Sequence, residues 1–254
     1  MVCLQDTPER GGGVSIMGVA ELFGGGGGGG APAKGGQPKV MVASPCYGGL
    51  LHMSVHTWVL AQASGGLVLT HVCLGHESLI TRARNKLLAM FLANPGFTHL
   101  LWLDADVELS TDALPRLLAT QKDVVGVPVA LRGLRDGAPV LNCGKVLSQD
   151  NVIAKVEWVG TAALLMSRRA AEAVVSDAAY YADDGAYTRG DTQPLRIWDV
   201  FGVGIHDGHY YSEDQTLCES LKKHGLGLYV VPAIRSIHHG GGDWPSWREE
   251  ATQE

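Results

Sequence analysis

Short apolar runs alternate with segments of helical periodicity over the first half of the chain. The apolar runs predict buried strands at residues 40–43, 67–72, 98–103 and 123–129. The segments between them predict helices at residues 50–63, 77–93 and 111–121, the last with Thr111 as its N-cap. Strands that alternate with helices favour an α/β fold with a doubly wound, mostly parallel central sheet flanked by helices.

The pattern becomes less regular in the second half. Residues 180–211 contain many Asp, Gly and Tyr and show no period, and a loop of this length inside a domain is usually functional or mobile. The remaining segments predict two short strands within 152–166, helices at 168–175 and 213–224, and short strands at 226–231 and 234–238.

Composition divides the chain into one folded unit and two tails. Residues 1–37 include seven consecutive glycines at 24–30 and predict a disordered tail, because such a segment buries too little surface to offset its ordering entropy. The tail formally contains G-x-G-x-x-G, but no strand precedes it and no helix follows, so a dinucleotide-binding turn is not expected. We expect the folded domain at 38–242 and a C-terminal tail at 243–254.

Charge and cysteine content narrow the classes of function. The net charge of −6 argues against a broad nucleic-acid surface, so nucleic acid is not an expected partner. Five scattered cysteines without a C-x-x-C pair favour a reducing compartment over a disulfide framework. No apolar run reaches the roughly 18–20 residues of a membrane span. The early acids Asp6 and Glu9 do not fit a signal peptide, so a cytoplasmic location is expected.

Asp104 and Asp106 follow the apolar run 98–103 directly. In open α/β sheets, ligands bind at the carboxyl ends of strands. Two carboxylates beside a core need a positive partner, and a divalent cation that carries a diphosphate would provide one. The alternative is a pair of solvated loop acids.

Arg84 lies within the apolar stripe of the predicted helix 77–93, next to a polar stripe of Ser78, Arg82 and Asn85. It is predicted either to point into a cleft, where it holds a nucleotide or an aspartate, or to extend its charged end to solvent.

Two later segments carry further candidate residues. Ser212 and Gln215 form a capping box, and Glu213 and Asp214 lie in the first helical turn, where acids are stabilised whether or not one of them is a general base. The pair 238–239 contains two histidines, which are either metal ligands or structural residues. Trp244 and Trp247 would stack on a sugar or base, or cover the edge of the core.

Six segments in series resemble the GT-A-fold glycosyltransferases, especially small viral and bacterial enzymes of the chlorovirus rhamnosyltransferase type. They are residues 42–47, 80–85, 101–106, 159–162, 212–214 and 235–238. The Arg-x-Arg-Asn helix is also similar to that of the fungal mannan-polymerase family. The resemblance covers residues 39–240 and implies a smaller acceptor-side subregion beside the sheet. It implies transfer of a hexosyl or deoxyhexosyl group from a UDP- or GDP-linked sugar to a hydroxyl acceptor such as a glycan, with inversion.

The resemblance also implies a role for each segment. Nucleotide-sugar contacts would come from Ser44, Pro45, Tyr47, Arg82, Arg84, Asn85, Asp104 and Ala105. Mn²⁺ or Mg²⁺ would be held by Asp104, Asp106 and His238, with Asp106 the more direct carboxylate. Asp214, or otherwise Glu213, would be the catalytic base, and the acceptor would meet Trp198, Asp199 and Trp244. Ala162 stands where relatives often carry Gly, and His239 leaves the choice of histidine ligand open.

Three alternatives compete with this interpretation. The run 101–109 also resembles the nucleophile strand of haloacid-dehalogenase phosphatases, although the later acidic pair Asp183–Asp184 falls in a predicted loop. A non-catalytic carbohydrate-binding scaffold with the same fold is the second. The third is transfer to a modified DNA base, which the acidic balance disfavours.

Overall fold

The computed structural model of the chain describes residues 2–4, 36–182 and 195–247. Its strands are β1 (Val2–Leu4), β2 (Lys39–Cys46), β3 (Val68–Gly75), β4 (His99–Leu103), β5 (Val107–Leu109), β6 (Val124–Gly126), β7 (Ala130–Arg135), β8 (Ala138–Leu141), β9 (Val146–Gln149), β10 (Ala154–Val156), β11 (Ala163–Ser167), β12 (Tyr180–Ala182), β13 (Arg196–Trp198), β14 (Gly204–His206), β15 (His209–Tyr211), β16 (Tyr229–Val230), β17 (Ser236–His239) and β18 (Asp243–Pro245). Its helices are α1 (Met53–Ser64), α2 (Ile80–Ala93), α3 (Ala113–Ala119), α4 (Arg168–Val175) and α5 (Glu213–Lys223).

Nine of these strands form one central sheet, in the order β1-β3-β2-β4-β11-β6-β16-β10-β9. Within this sheet, only β10 and β11 are antiparallel to both of their neighbours, so seven of the nine strands run in the same direction. The mostly parallel sheet expected from the sequence is confirmed.

Helices cover both faces of the sheet. Side chains of β4 alternate between the faces, with Leu100 and Trp102 on one side and Leu101 and Leu103 on the other. The first face packs against α2, α4 and α5, and the second against α1 and α3. Two apolar layers, one on each face, therefore hold the doubly wound arrangement together. Among the described residues, no helix has both the length and the apolar character needed to cross a membrane.

Several element boundaries differ from those predicted. Helix α2 begins at Ile80 rather than at residue 77. The carboxylate of Glu77 precedes the helix and accepts the backbone N–H of Leu79, the N-cap residue, at 3.3 Å. Helix α3 begins at Ala113 with Asp112 at the N-cap position, so the prediction of Thr111 as the cap is wrong. Strand β1, which falls within the tail predicted for residues 1–37, pairs in parallel with β3.

Two hairpins occupy regions where the sequence predicts no strands. Strands β7 and β8 are joined through Asp136–Gly137, and β14 and β15 through Asp207–Gly208. All four of these turn residues have positive φ, the conformation of type I′ hairpin turns, for which Asp-Gly is a preferred sequence. The intervening residues 183–194, which include the Asp183–Asp184 pair, lie outside the described residues.

A small three-stranded sheet beside the main one positions the candidate residues near the C-terminal end of the chain. Strand β17 lies between β5 and β18, and His238 is in register with Val107 of β5 and Trp244 of β18. This pairing brings the segment after Asp106 next to the 238–239 histidines. The predicted C-terminal tail therefore starts with a paired strand.

Candidate functional site

An open cleft of about 650 Å³ lies where β2 and β4 end and where α1, α2 and α5 begin. Its lining residues are Pro45, Tyr47, Leu50, Leu51, His52, Ile80, Arg84, Asp104, Ala105, Asp106 and Glu213. Candidate residues from four separate segments thus meet in one place. The cleft is at the carboxyl ends of parallel strands, where ligands bind in open α/β sheets.

Arg84 lies at the base of the cleft with its side chain only 3% exposed. Its Nη2 donates to Asp104 Oδ1 at 3.1 Å, and its Nε lies 3.8 Å from Glu213 Oε1. Burial alone would lower the pKa of Arg84, but the charges of Asp104, Asp214 and Glu213 raise it, so the guanidinium stays positive. Its Nε and Nη1 have no hydrogen-bond acceptor, which is costly for buried donors.

Asp104 accepts the bond from Arg84 and also lines the cleft. Burial raises the pKa of this carboxyl above its ordinary value, although Arg84 acts in the opposite direction. Asp214 and Asp106 add to the rise through like-charge repulsion. Asp104 is therefore held mainly by Arg84, and the structure does not pair it with His238.

Asp106 and His238 face each other across the β5–β17 pair, with Nε2 of the histidine 3.5 Å from Oδ2 of the aspartate. Burial acts to raise the pKa of Asp106, but the hydrogen bond that His238 donates in its protonated form and the charges of His238 and Arg132 outweigh it and keep the pKa low. The same contact raises the pKa of His238 against the effect of burial.

The hydrogen bond at Nδ1 of His238 determines the tautomer of its ring. Nδ1 lies 2.8 Å from the carbonyl oxygen of Ala130, which only accepts, so Nδ1 carries a hydrogen. In the neutral ring, Nε2 then presents a lone pair toward Asp106. This is the form in which a metal-binding histidine is usually held, with its other nitrogen bonded to a backbone carbonyl.

The side chain of His239 is occupied elsewhere. Its ring nitrogens contact Asp243 Oδ1 at 2.8 Å and Glu108 Oε2 at 3.0 Å, and its ring stacks on His52 with centroids 3.9 Å apart. Successive side chains of a strand point to opposite faces, so only one of the two histidines faces Asp106. In the structure that residue is His238.

The two acids at the start of α5 differ in their surroundings. The capping box of Ser212 and Gln215 forms as predicted. Asp214 Oδ1 accepts the backbone N–H of Thr161 at 3.2 Å and also the Thr161 hydroxyl. Glu213 instead lines the cleft, and burial together with the charge of Asp214 raises its pKa.

Other predicted site residues hold the scaffold. Ser44 is fully buried and donates to the carbonyl oxygen of Leu103 at 2.6 Å. The Arg82 guanidinium is paired with Glu77 at 2.6 Å. Asn85 is buried on α2 and is not among the residues that line the cleft.

The Asn85 amide on α2 forms hydrogen bonds with residues 199–201, a segment that includes the predicted acceptor residue Asp199. Its Nδ2 donates to Asp199 Oδ1 at 3.0 Å, and its Oδ1 accepts the backbone N–H groups of Val200 and Phe201 at 3.0 and 3.1 Å. Trp198 packs against the core beside this segment. Trp244 lies on β18, where it pairs with His238 of β17. None of the predicted acceptor residues is part of the cleft lining.

The carboxylates and histidines of the cleft do not form a complete metal cage. Among residues 2–4, 36–182 and 195–247, no group of three or more His, Cys, Asp or Glu side chains is arranged to hold a metal ion. Asp106 and His238 supply two ligand atoms. Magnesium is commonly held by one or two carboxylates together with substrate phosphates, so this pair fits a metal that arrives with a diphosphate.

Arg132 is a member of the site that the sequence pattern does not identify. It lies on β7, where the sequence predicts no strand, and its Nη2 donates to Asp106 Oδ2 at 2.6 Å. The Asp-Gly turn would have identified the hairpin, but not the strand partner that brings Arg132 to Asp106.

Comparison with known proteins finds likeness of structure only. No model of a known protein family matches the chain, and neither does any protein of curated function. Among solved structures, A197 from STIV aligns with a TM-score of 0.49 and 14% identity, over 80% of this chain and 86% of that one. A Bacillus anthracis protein described as a glucose-1-phosphate thymidylyltransferase, in complex with sucrose, aligns with a TM-score of 0.35 and 9% identity, over 83% of this chain and 89% of that one.

Proposed function

We propose that this chain is a metal-dependent glycosyltransferase of the GT-A type. It would move a sugar from a UDP- or GDP-linked donor to a hydroxyl acceptor, with inversion at the anomeric carbon. The observation that carries the proposal is the buried Arg84, which lines the same cleft as Asp104, Asp106 and Glu213 and has two nitrogens without a hydrogen-bond acceptor. A guanidinium with unmet hydrogen bonds, next to carboxylates that can bind a metal, suits a ligand such as a diphosphate that binds together with a metal cation.

The donor would lie along the cleft with its nucleoside toward Tyr47 and its diphosphate toward Asp106 and His238. Tyr47 is 77% exposed at the rim, where its ring is accessible to a base. Arg84 would attract and orient the anionic donor from the base of the cleft through its positive charge. Mn²⁺ or Mg²⁺ held by Asp106 and His238 would neutralise the charge that develops on the departing diphosphate.

Glu213 is better placed than Asp214 to be the general base. Its carboxylate lines the cleft, and its raised pKa makes it a stronger proton acceptor than an ordinary glutamate. The acceptor oxygen would attack the anomeric carbon as its proton passes to Glu213. The bond from that carbon to the diphosphate breaks, and the nucleoside diphosphate leaves with the bonding pair. Asp214, bonded twice to Thr161, would hold the start of α5 in place.

A donor screen tests the proposal. Purified protein is incubated with UDP- and GDP-sugars, with and without Mn²⁺, and release of nucleoside diphosphate is measured alongside thermal stabilisation. Metal-dependent release with at least one donor is expected. Absence of both release and stabilisation with every donor would favour the non-catalytic scaffold. Hydrolysis of a simple phosphate ester without any nucleotide binding would favour the phosphatase.

A further inference from the structure

At the edge of the cleft, one guanidinium nitrogen of Arg132 lies among three atoms that can accept a hydrogen bond, one of which is Nε2 of His238 in its neutral form. Arg132 Nη2 lies 2.6 Å from Asp106 Oδ2, 2.9 Å from the carbonyl oxygen of His239 and 3.3 Å from His238 Nε2. An Nη2 group carries two hydrogens, so it cannot satisfy all three acceptors at once. Three acceptors that converge on one point suit a cation better than a single hydrogen-bond donor.

We propose that Arg132 Nη2 and a divalent metal ion compete for this one position, so that the metal binds only when Arg132 leaves it. The inference rests on the proposed function, because it takes Asp106 and His238 as metal ligands. It adds the carbonyl oxygen of His239 as a third protein ligand. It also makes Arg132 the group that sets how readily the metal binds.

The glycine that follows His239 makes room for the guanidinium. A Cβ atom on Gly240 would lie 2.7 Å from Arg132 Nη2 and 2.9 Å from Arg132 Cζ, both closer than real Cβ contacts allow. Gly240 also has a φ of +125°, which side-chain-bearing residues rarely adopt. The position next to the three acceptors is thus open because residue 240 has no side chain.

Arg132 has a route out of this position. Its side chain is 47% exposed, and β7 carries mostly exposed residues beyond its first position. Ion pairs of this exposure are weak, because solvent competes for both charges. A divalent ion bonded to Asp106 Oδ2 would repel a guanidinium on the same oxygen, so the two cations exclude each other.

Metal binding without nucleotide tests the competition directly. The full-length wild type, R132Q and R135Q are titrated with Mn²⁺ by calorimetry at constant ionic strength. Removal of the competing cation is expected to tighten Mn²⁺ binding about five- to tenfold in R132Q. Arg135 is an exposed residue of the same strand, so R135Q makes the same change of net charge away from the three acceptors. It should leave the Mn²⁺ affinity within about twofold of wild type.

Three results would overturn the inference. Unchanged or weaker Mn²⁺ binding in R132Q would show that Arg132 does not compete, and an equal gain in R135Q would show only a general charge effect. The absence of Mn²⁺ binding in every variant would remove the metal site itself. If R132Q leaves Mn²⁺ affinity unchanged while release of nucleoside diphosphate still needs Mn²⁺, Arg132 does not compete with the metal and the proposed function stands.

The double variant R132Q/H238A locates the ion. Loss of the tighter binding in this variant is expected, because it removes one of the three acceptors. Retention of the gain would place the metal elsewhere and would also count against the proposal.

Discussion

Arg84 and Asp104 form an ion pair at the base of the cleft, with Nη2 3.1 Å from Oδ1. The arginine is buried, while the aspartate still reaches the cleft. Removal of one partner of such a pair leaves a costly uncompensated charge, so mutation of either residue tests how much the pair contributes to stability.

Replacement of Arg84 by Gln should lower the free energy of unfolding by about 3 kcal/mol, because Asp104 loses its compensating charge. Chemical denaturation measures the effect. Arg82 on the same helix provides the control. Its own side chain is half-exposed, and the buried Glu77 keeps Lys86 Nζ at 3.4 Å, so R82Q should lose at most about 1 kcal/mol. The double variant R84Q/D104N should be more stable than the sum of its single changes predicts. Equal losses in R84Q and R82Q would contradict this account of the pair.

Replacement of Glu213 by Gln should reduce the rate of sugar transfer by about 10²–10⁴-fold, the usual contribution of a general base. Nucleotide binding should persist, because Arg84 and the Asp106–His238 pair are intact. D214N should retain more activity than E213Q and should mainly lower the melting temperature, since it weakens the contact with Thr161. The reverse order of transfer rates would assign the base to Asp214.

The E213Q variant should also be more stable than the wild type at neutral pH. The folded-state pKa of Glu213 is raised by burial and by Asp214, so ionisation of Glu213 disfavours the folded state. The stability of the wild type therefore falls as pH rises from the ordinary glutamate pKa through the raised one. Gln mimics the protonated form, so the gain in melting temperature should be largest at pH 7–8 and vanish near pH 4. E157Q, an exposed change, should show no such pH-dependent gain.

Replacement of Asn85 by Leu should destabilise the fold by about 2–3 kcal/mol, because the backbone N–H groups of Val200 and Phe201 lose their acceptor. The dissociation constant for UDP or GDP, measured at a temperature where both proteins are folded, should stay near the wild-type value. A large loss of nucleotide affinity without loss of stability would instead support the nucleotide contact that the family resemblance implies for Asn85.

The sequence predicts the first half of the sheet well because its strands are long apolar runs separated by clear helices. The position of Asp104 and Asp106 at the end of β4 follows from the same pattern. Arg84 is also identified, since a charged residue in an apolar stripe must find a partner or solvent, and here it finds Asp104.

The remaining parts of the site depend on pairing between distant short strands. β5 has three residues and β17 has four, too few to show a period of two. Their register decides that His238 faces Asp106, and β7 decides that Arg132 joins them. Asn85 shows the opposite limit. The family resemblance implies that it contacts the nucleotide, whereas its amide bonds to the Asp199 carboxylate and to the backbone N–H groups of Val200 and Phe201.

The adjacent histidines of β17 make the proposed metal pair tolerant of a slip along the strand. A shift of β17 by one residue would carry His239 into the position of His238 and still offer an imidazole to Asp106. The histidines therefore do not select the correct alignment. Ser236 does so, because its hydroxyl donates to the carbonyl oxygen of Pro128 at 2.8 Å and its N–H donates to Ser246 Oγ at 3.1 Å, and a slip would break both bonds.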